Sequence, residues 1–184
     1  MPAKRKLKLV ITLIGLLVLG GGWLIVSAQN HPSSQPAQQT QAKSKPKYRT
    51  LTLDELHHDP TLTYCSIIYY TVKHGKIQRW QEVSKVSLGW QIEQYPTNDG
   101  FKVLVWPDMN IKKEAKQLQP NWFALTKNDS VTYHSFIIHS FRDDMTATTN
   151  LKTIVDQINH DHAAMKVRQM TPKMLIVKHK NSAN

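Results

Sequence analysis

The stretch "GWQIEQYPTNDGFKVLVW", Gly89 to Trp106, decides the fold class. On either side of "PTNDG" the apolar residues recur with a period of two. Proline and glycine bound the break between the two runs. Alternation interrupted by turn residues predicts a β-hairpin, with "GWQIEQY" and "FKVLVW" as its strands.

Upstream of the hairpin the period lengthens to that of a helix. Thr52-Leu53-Asp54-Glu55 has the Thr-to-Glu spacing of a capping box and opens a short helical turn. Asp59-Pro60 supplies an N-cap followed by proline at the first helical position. Leu62, Cys65, Ile68, Tyr69 and Val72 follow at three- and four-residue spacing, a helical stripe that Gly75 closes as its C′ residue. A further helical piece is expected over Ile77–Val83, with Trp80 and Val83 inward.

Downstream, the charged run Asn110–Leu118 predicts a connector of one or two helical turns. "NWFAL" and "VTYHSFIIHSF" flank "KNDS" as a second hairpin. Leu151, Ile154, Val155 and Ile158 share one helical face, which Ala163, Ala164, Val167 and Met170 extend. Thr171-Pro172 stops that helix before a short strand, "MLIVK". These elements predict an α+β domain over residues 50–180. It is expected to have an antiparallel sheet of two hairpins plus a short C-terminal strand, with helices packed on one face.

The 184 residues provide one ordinary domain. The formal charge of +11 suggests a polyanion binder until it is divided along the chain. Residues 1–50 hold eight of the 24 Lys/Arg and none of the 13 Asp/Glu, so the rest is nearly balanced. The basic character belongs to the N-terminal tail, which argues against nucleic acid as a partner. One cysteine, Cys65, excludes an internal disulfide, so the domain depends on an apolar core.

Residues 1–8 are basic, and Leu9–Val26 carry no charge. As a helix that run spans roughly 27 Å, close to the ~30 Å hydrocarbon core. The preceding cations place the N-terminus in the cytoplasm and the remainder outside. Residues 9–28 are therefore expected to be a single transmembrane anchor that leaves the C-terminal domain extracellular. The competing reading is a signal segment: Gly20–Gly22 breaks the helix, and Val26-Ser27-Ala28 offers small residues for cleavage near Ala28. Residues 29–49, rich in Gln, Ser, Pro and Lys, predict a disordered linker.

Three groups of residues carry possible chemistry. "YCSIIYYTVKHG", Tyr64–Gly75, resembles the nucleophile helix of NlpC/P60-type cysteine peptidases, with Cys65 as nucleophile. The resemblance implies a cell-wall hydrolase in which His134 of "YHSFIIHS" serves as base. Against it, Tyr64 replaces the family's acidic residue and Ile67 its glycine. Cys65 also shares the stripe of Leu62, Ile68 and Val72, which predicts a core cysteine. His160-Asp161-His162 and His57-His58-Asp59 have the composition of metal clusters, but i and i+2 diverge on a helix and no HExxH or CxxC occurs. No metal or other cofactor is expected. Trp80, Trp90, Trp106 and Trp122 are expected in the core, with sugar-stacking platforms as the alternative for "VWPD" and "PNWF".

The layout of basic start, apolar span, polar stalk and cysteine-poor α+β domain resembles small membrane-tethered extracytoplasmic proteins of Gram-positive lactic-acid bacteria. That resemblance implies a cell-envelope location and carries no activity across. The expectation is a non-catalytic domain that binds an envelope component, such as an anionic cell-wall polymer, or an envelope protein. Eight of the nine histidines lie in the nearly neutral domain. An imidazole ordinarily titrates near pH ~6.5, so attachment to an anionic polymer is expected to strengthen on mild acidification.

Overall fold

The computed structural model describes residues 48–135 and 145–180. The basic end, the apolar run, nearly all of the linker and the second half of "VTYHSFIIHSF" lie outside them. Among the described residues no helix is long and apolar enough to cross a membrane.

Helix α1, Leu53–His58, starts on the expected capping box. The Thr52 hydroxyl accepts from the Glu55 amide, and the Glu55 carboxylate accepts from the Thr52 amide. Helix α2, Pro60–His74, begins with Asp59 Oδ1 accepting from the Leu62 amide at 3.0 Å. Residues Leu62 to Tyr69 are all buried, so α2 is enclosed and not striped. Two of its buried hydroxyls find backbone acceptors: Ser66 Oγ donates to the Leu62 carbonyl at 2.8 Å, and Thr63 Oγ1 to that of Asp59 at 2.9 Å.

Gly75 departs from expectation. It is the capping residue itself, with an extended φ of −68°, and not a left-handed C′ glycine. What requires glycine there is space, since a Cβ would lie 2.4 Å from the Thr71 carbonyl oxygen. A 3₁₀ segment, Gln78–Val83, then turns Trp80 and Val83 inward as the sequence suggests.

Six strands form one sheet: β1 Trp90–Thr97, β2 Gly100–Trp106, β3 Asn121–Thr126, β4 Ser130–Ser135, β5 Met145–Asn150 and β6 Met174–Lys178. Their order is β5-β4-β3-β2-β1-β6. The first hairpin is tighter than "PTNDG" implies. Only Asn98 and Asp99 turn, and Pro96 stays in the ladder opposite Phe101. Pairing to β6 ends at Gln94, so no neighbouring strand requires the N–H that proline lacks.

Two further differences concern the sheet margins. Strand β5, the threonine-rich "MTATTN", was not expected; it pairs with β4 from Ser130↔Asn150 to Ser135↔Met145. Strand β6 joins β1 in parallel, so the sheet is mostly and not wholly antiparallel. Helix α3, Leu151–His160, and helix α4, Ala164–Met170, are separate elements and not one extended helix. His162, with φ 53°, breaks the chain between them.

The core gathers Leu56, Ile67, Ile68, Trp80, Ile154 and Val167 from the helical segments with Trp90, Ile92, Val103, Val105, Phe123, Val131 and Tyr133 from the strands. Within each strand these residues alternate with the rest, and the register Ile92↔Val105, Val103↔Phe123 and Phe123↔Tyr133 sets them on one face, which the helices cover. The folded unit takes in Tyr48 and Arg49, which the sequence assigns to the linker. The Tyr48 hydroxyl donates to the Asn159 carbonyl at 3.2 Å, and Arg49 pairs with Glu55 at 2.6 Å.

Candidate functional site on the helix-free sheet face

Alternation along the strands sends the other parity of side chains away from the helices. The ladder register aligns Glu93, Leu104, Trp122, His134 and Thr146 in one row across five strands, and Tyr95, Lys102, Ala124, Thr132 and Thr148 in the next. Trp80 and Trp90 belong to the core cluster and Trp106 is buried as well, but Trp122 is half-buried and lies outside the core. This corrects the expectation for Trp122.

Trp122 is held on two sides. The His134 ring is parallel to it within 3°, with centroids 3.6 Å apart, and the Lys102 ammonium lies 4.6 Å from the indole centroid. Lys102 sits diagonally across from Trp122 on β2, within the reach of a long side chain. A similar pair stands at the β1–β6 edge, where the His179 and Tyr95 rings stack with centroids 4.1 Å apart.

The segment after β2 crosses this face and brings in another cation. Lys116 Nζ donates to Glu93 Oε1 at 2.5 Å and to Gln91 Oε1, and lies 5.3 Å from the Trp106 ring centroid. The Tyr95 hydroxyl donates to the other Glu93 oxygen at 2.8 Å. Burial works to raise the Glu93 carboxyl, but the bonds from Lys116 and Tyr95 outweigh it and hold it below the usual range. Burial, with help from that ionised partner, pushes the Tyr95 phenol up to about 12. The face thus sets Lys102, Lys116, His134 and His179 against one carboxylate already engaged.

The hydrolase reading needs Cys65 and His134 together, and the structure keeps them apart. Cys65 is fully buried in α2, on the helical side of the sheet. His134 is on β4 next to Tyr133, whose hydroxyl reaches into the helical side to donate to the Ile67 carbonyl at 3.0 Å. His134 therefore projects to the opposite face. Burial, and secondarily the Asp59 charge, pushes the Cys65 thiol up to about 12, far from a ready thiolate.

The two histidine clusters have structural partners. His57 Nε2 meets Asp129 at 2.9 Å, His58 Nδ1 meets the Asp54 carbonyl at 2.8 Å, and Asp59 caps α2. Asp161 bonds His74, while His160 is exposed and the His162 ring lies edge-on to Tyr48. Among the described residues no group of three His, Cys, Asp or Glu side chains is placed to hold a metal ion.

No family model, curated protein or solved structure matches the chain. The sequence marks Trp122 as a core or sugar-stacking residue and includes His134 and His179 among the eight domain histidines, but it gives no sign of Tyr95, Lys102 or Lys116 at this site. Lys102 and Tyr95 were recoverable from the hairpin, since once register is known they must project together. Lys116 and His179 arrive from outside the antiparallel ladder, and no periodicity marks them.

Proposed function

We propose that the protein is a membrane-tethered extracytoplasmic binding domain that holds an anionic envelope polymer on the helix-free face of its sheet. The N-terminal apolar run is its anchor. The observation that carries this reading is Trp122 clasped between His134 and Lys102 on a face that no α-helix among the described residues covers. Indole packing removes freedom from both side chains before a ligand arrives, so less ordering entropy is lost on binding. The near-neutral charge of the domain leaves this local array, and not a global field, to select the anion.

The test is sedimentation of the full-length chain with purified cell walls across salt concentration and from pH 7 to 5. Bound protein is expected to fall with salt, to rise on acidification, and to drop in Lys102→Glu and His134→Gln. Binding indifferent to salt and to both substitutions defeats the reading. The tether has its own measurement: the full-length protein should stay with membranes through alkaline carbonate, and a mature form starting near Gln29 in the medium would replace the anchor with a cleaved signal.

A further inference from the structure

Strand β5 forms one margin of the sheet, and among the described residues no strand pairs with its outer edge. The ladder to β4 fixes which backbone groups that edge presents. The Leu151 amide donates to the Asp129 carbonyl at 3.0 Å, one step beyond the pair Ser130↔Asn150. Hydrogen-bonded and non-bonded pairs alternate along an antiparallel ladder. Met145, Ala147 and Thr149 therefore bond to β4, and the N–H and C=O groups of Thr146 and Thr148 and the N–H of Asn150 point outward.

The two margins are guarded differently. Pro172 and Lys173 lead into β6, Lys178 ends it and Lys180 follows. Proline and lysine are among the residues that keep an exposed edge from pairing. Strand β5, "MTATTN", has neither proline nor charge, and its register against β4 runs without a bulge. On the helical side Ala147 and Thr149 border a cavity of about 250 Å³ with Tyr70 and Tyr133, which leaves room beside the strand. On the other face the Thr148 and Thr132 hydroxyls bond at 3.0 Å.

We infer that β5 pairs antiparallel with β5 of a second copy of this chain, joining two six-stranded sheets into one. Residues directly opposite in an antiparallel pair share a face, so the two-fold axis passes through one residue of the strand. Centred on Thr148, the register sets Thr148 against its own copy and Thr146 against Asn150, and it engages all three outward residues. A foreign strand would have to be selected by charge, which β5 lacks. Self-pairing needs only that no like charges meet across the axis, and threonine pairs well with threonine. Each copy contributes its unguarded edge, so the assembly closes as a dimer. The pairing uses none of Lys102, Trp122 or His134, so it is independent of wall binding.

Sedimentation equilibrium of the full-length chain in density-matched detergent, up to about 0.5 mM because a strand-to-strand interface is small, tests the pairing. The expected species is a dimer of the 21.1 kDa chain. Thr148→Pro removes an outward N–H and keeps the bonds to β4, so it should weaken the dimer about tenfold. Thr148→Lys and Thr148→Glu each place like charges on the axis and should weaken it about tenfold, and mixing the two should restore it. That rescue serves if the proline variant misfolds, and it separates β5 pairing from association through the apolar run. In hydrogen exchange the Thr148 amide should be protected in the parent and exchange quickly in Thr148→Lys. A monomer at every concentration, a dimer indifferent to all three substitutions, or no rescue on mixing would overturn the proposal. A monomer with a protected Thr148 amide would assign the edge to another segment of this chain and overturn it too.

Discussion

His74 Nε2 lies 2.6 Å from Asp161 Oδ2, joining the last turn of α2 to the residue that caps α3. The Tyr69 hydroxyl and Gln157 Nε2 donate to the same carboxylate at 3.1 and 3.0 Å. The knot sits one residue before His162, where the left-handed turn ends α3, so it ties that end of α3 to the last turn of α2.

Burial alone would raise the Asp161 carboxyl, but the bonds from His74, Gln157 and Tyr69 prevail and hold it at about 2, below the ordinary 3.8. A depressed folded value stabilises fully above the unfolded value, and that contribution is lost as pH falls through about 2. Asp161→Asn is therefore expected to cost about 1–2 kcal/mol at pH 7 and almost nothing near pH 2. Urea denaturation at both pH values checks this. An equal cost at the two would mean that shape, and not charge, holds the knot.

Cys65 is expected to react slowly with a thiol reagent in the native protein and quickly in denaturant, as its full burial requires. Cys65→Ser should destabilise the fold by about 1–3 kcal/mol, because a hydroxyl is more costly to bury without a partner. Rapid native labelling would contradict the packing described for α2.

Gly100 closes the first hairpin at φ +141°, and a Cβ there would lie 2.1 Å from the Leu125 carbonyl oxygen. Gly100→Ala combines a disfavoured dihedral with a backbone collision between β2 and β3. The expected loss is about 2–4 kcal/mol, read as a lowered Tm. A Tm within a degree of the parent would mean that the hairpin can reopen its turn without cost.

If His134 and His179 supply the pH response of wall binding, the double substitution His134→Gln, His179→Gln should flatten the profile between pH 7 and 5. Substituting His160, which is exposed at the other side of the fold, should leave the profile unchanged. Sedimentation with purified walls at fixed salt distinguishes the two, and an identical loss from His160→Gln would point to diffuse charge.

Local chemistry explains which elements were legible. The capping box at Thr52–Glu55, the Asp59-Pro60 helix start and the first hairpin all appear as the sequence suggests, because each is decided within a few residues. Strand β5 was missed because "MTATTN" carries one large apolar side chain, Met145, and that one is exposed. Its strand state comes from backbone pairing along β4, which a hydrophobic pattern does not register.

By itself the sequence determined the starts of α1 and α2, the hairpins, the α+β class and the burial of Cys65. Each follows from short-range sterics, capping and periodicity. Only the tertiary structure decided that β6 joins β1 in parallel, that Cys65 and His134 fall on opposite sides of the sheet, and that Trp122 stays out of the core. Alternation says that neighbouring side chains part, but not which set the helices will cover. That choice belongs to the packing of α2, α3 and α4 against the whole sheet, and it places Lys102, Trp122 and His134 on the open side.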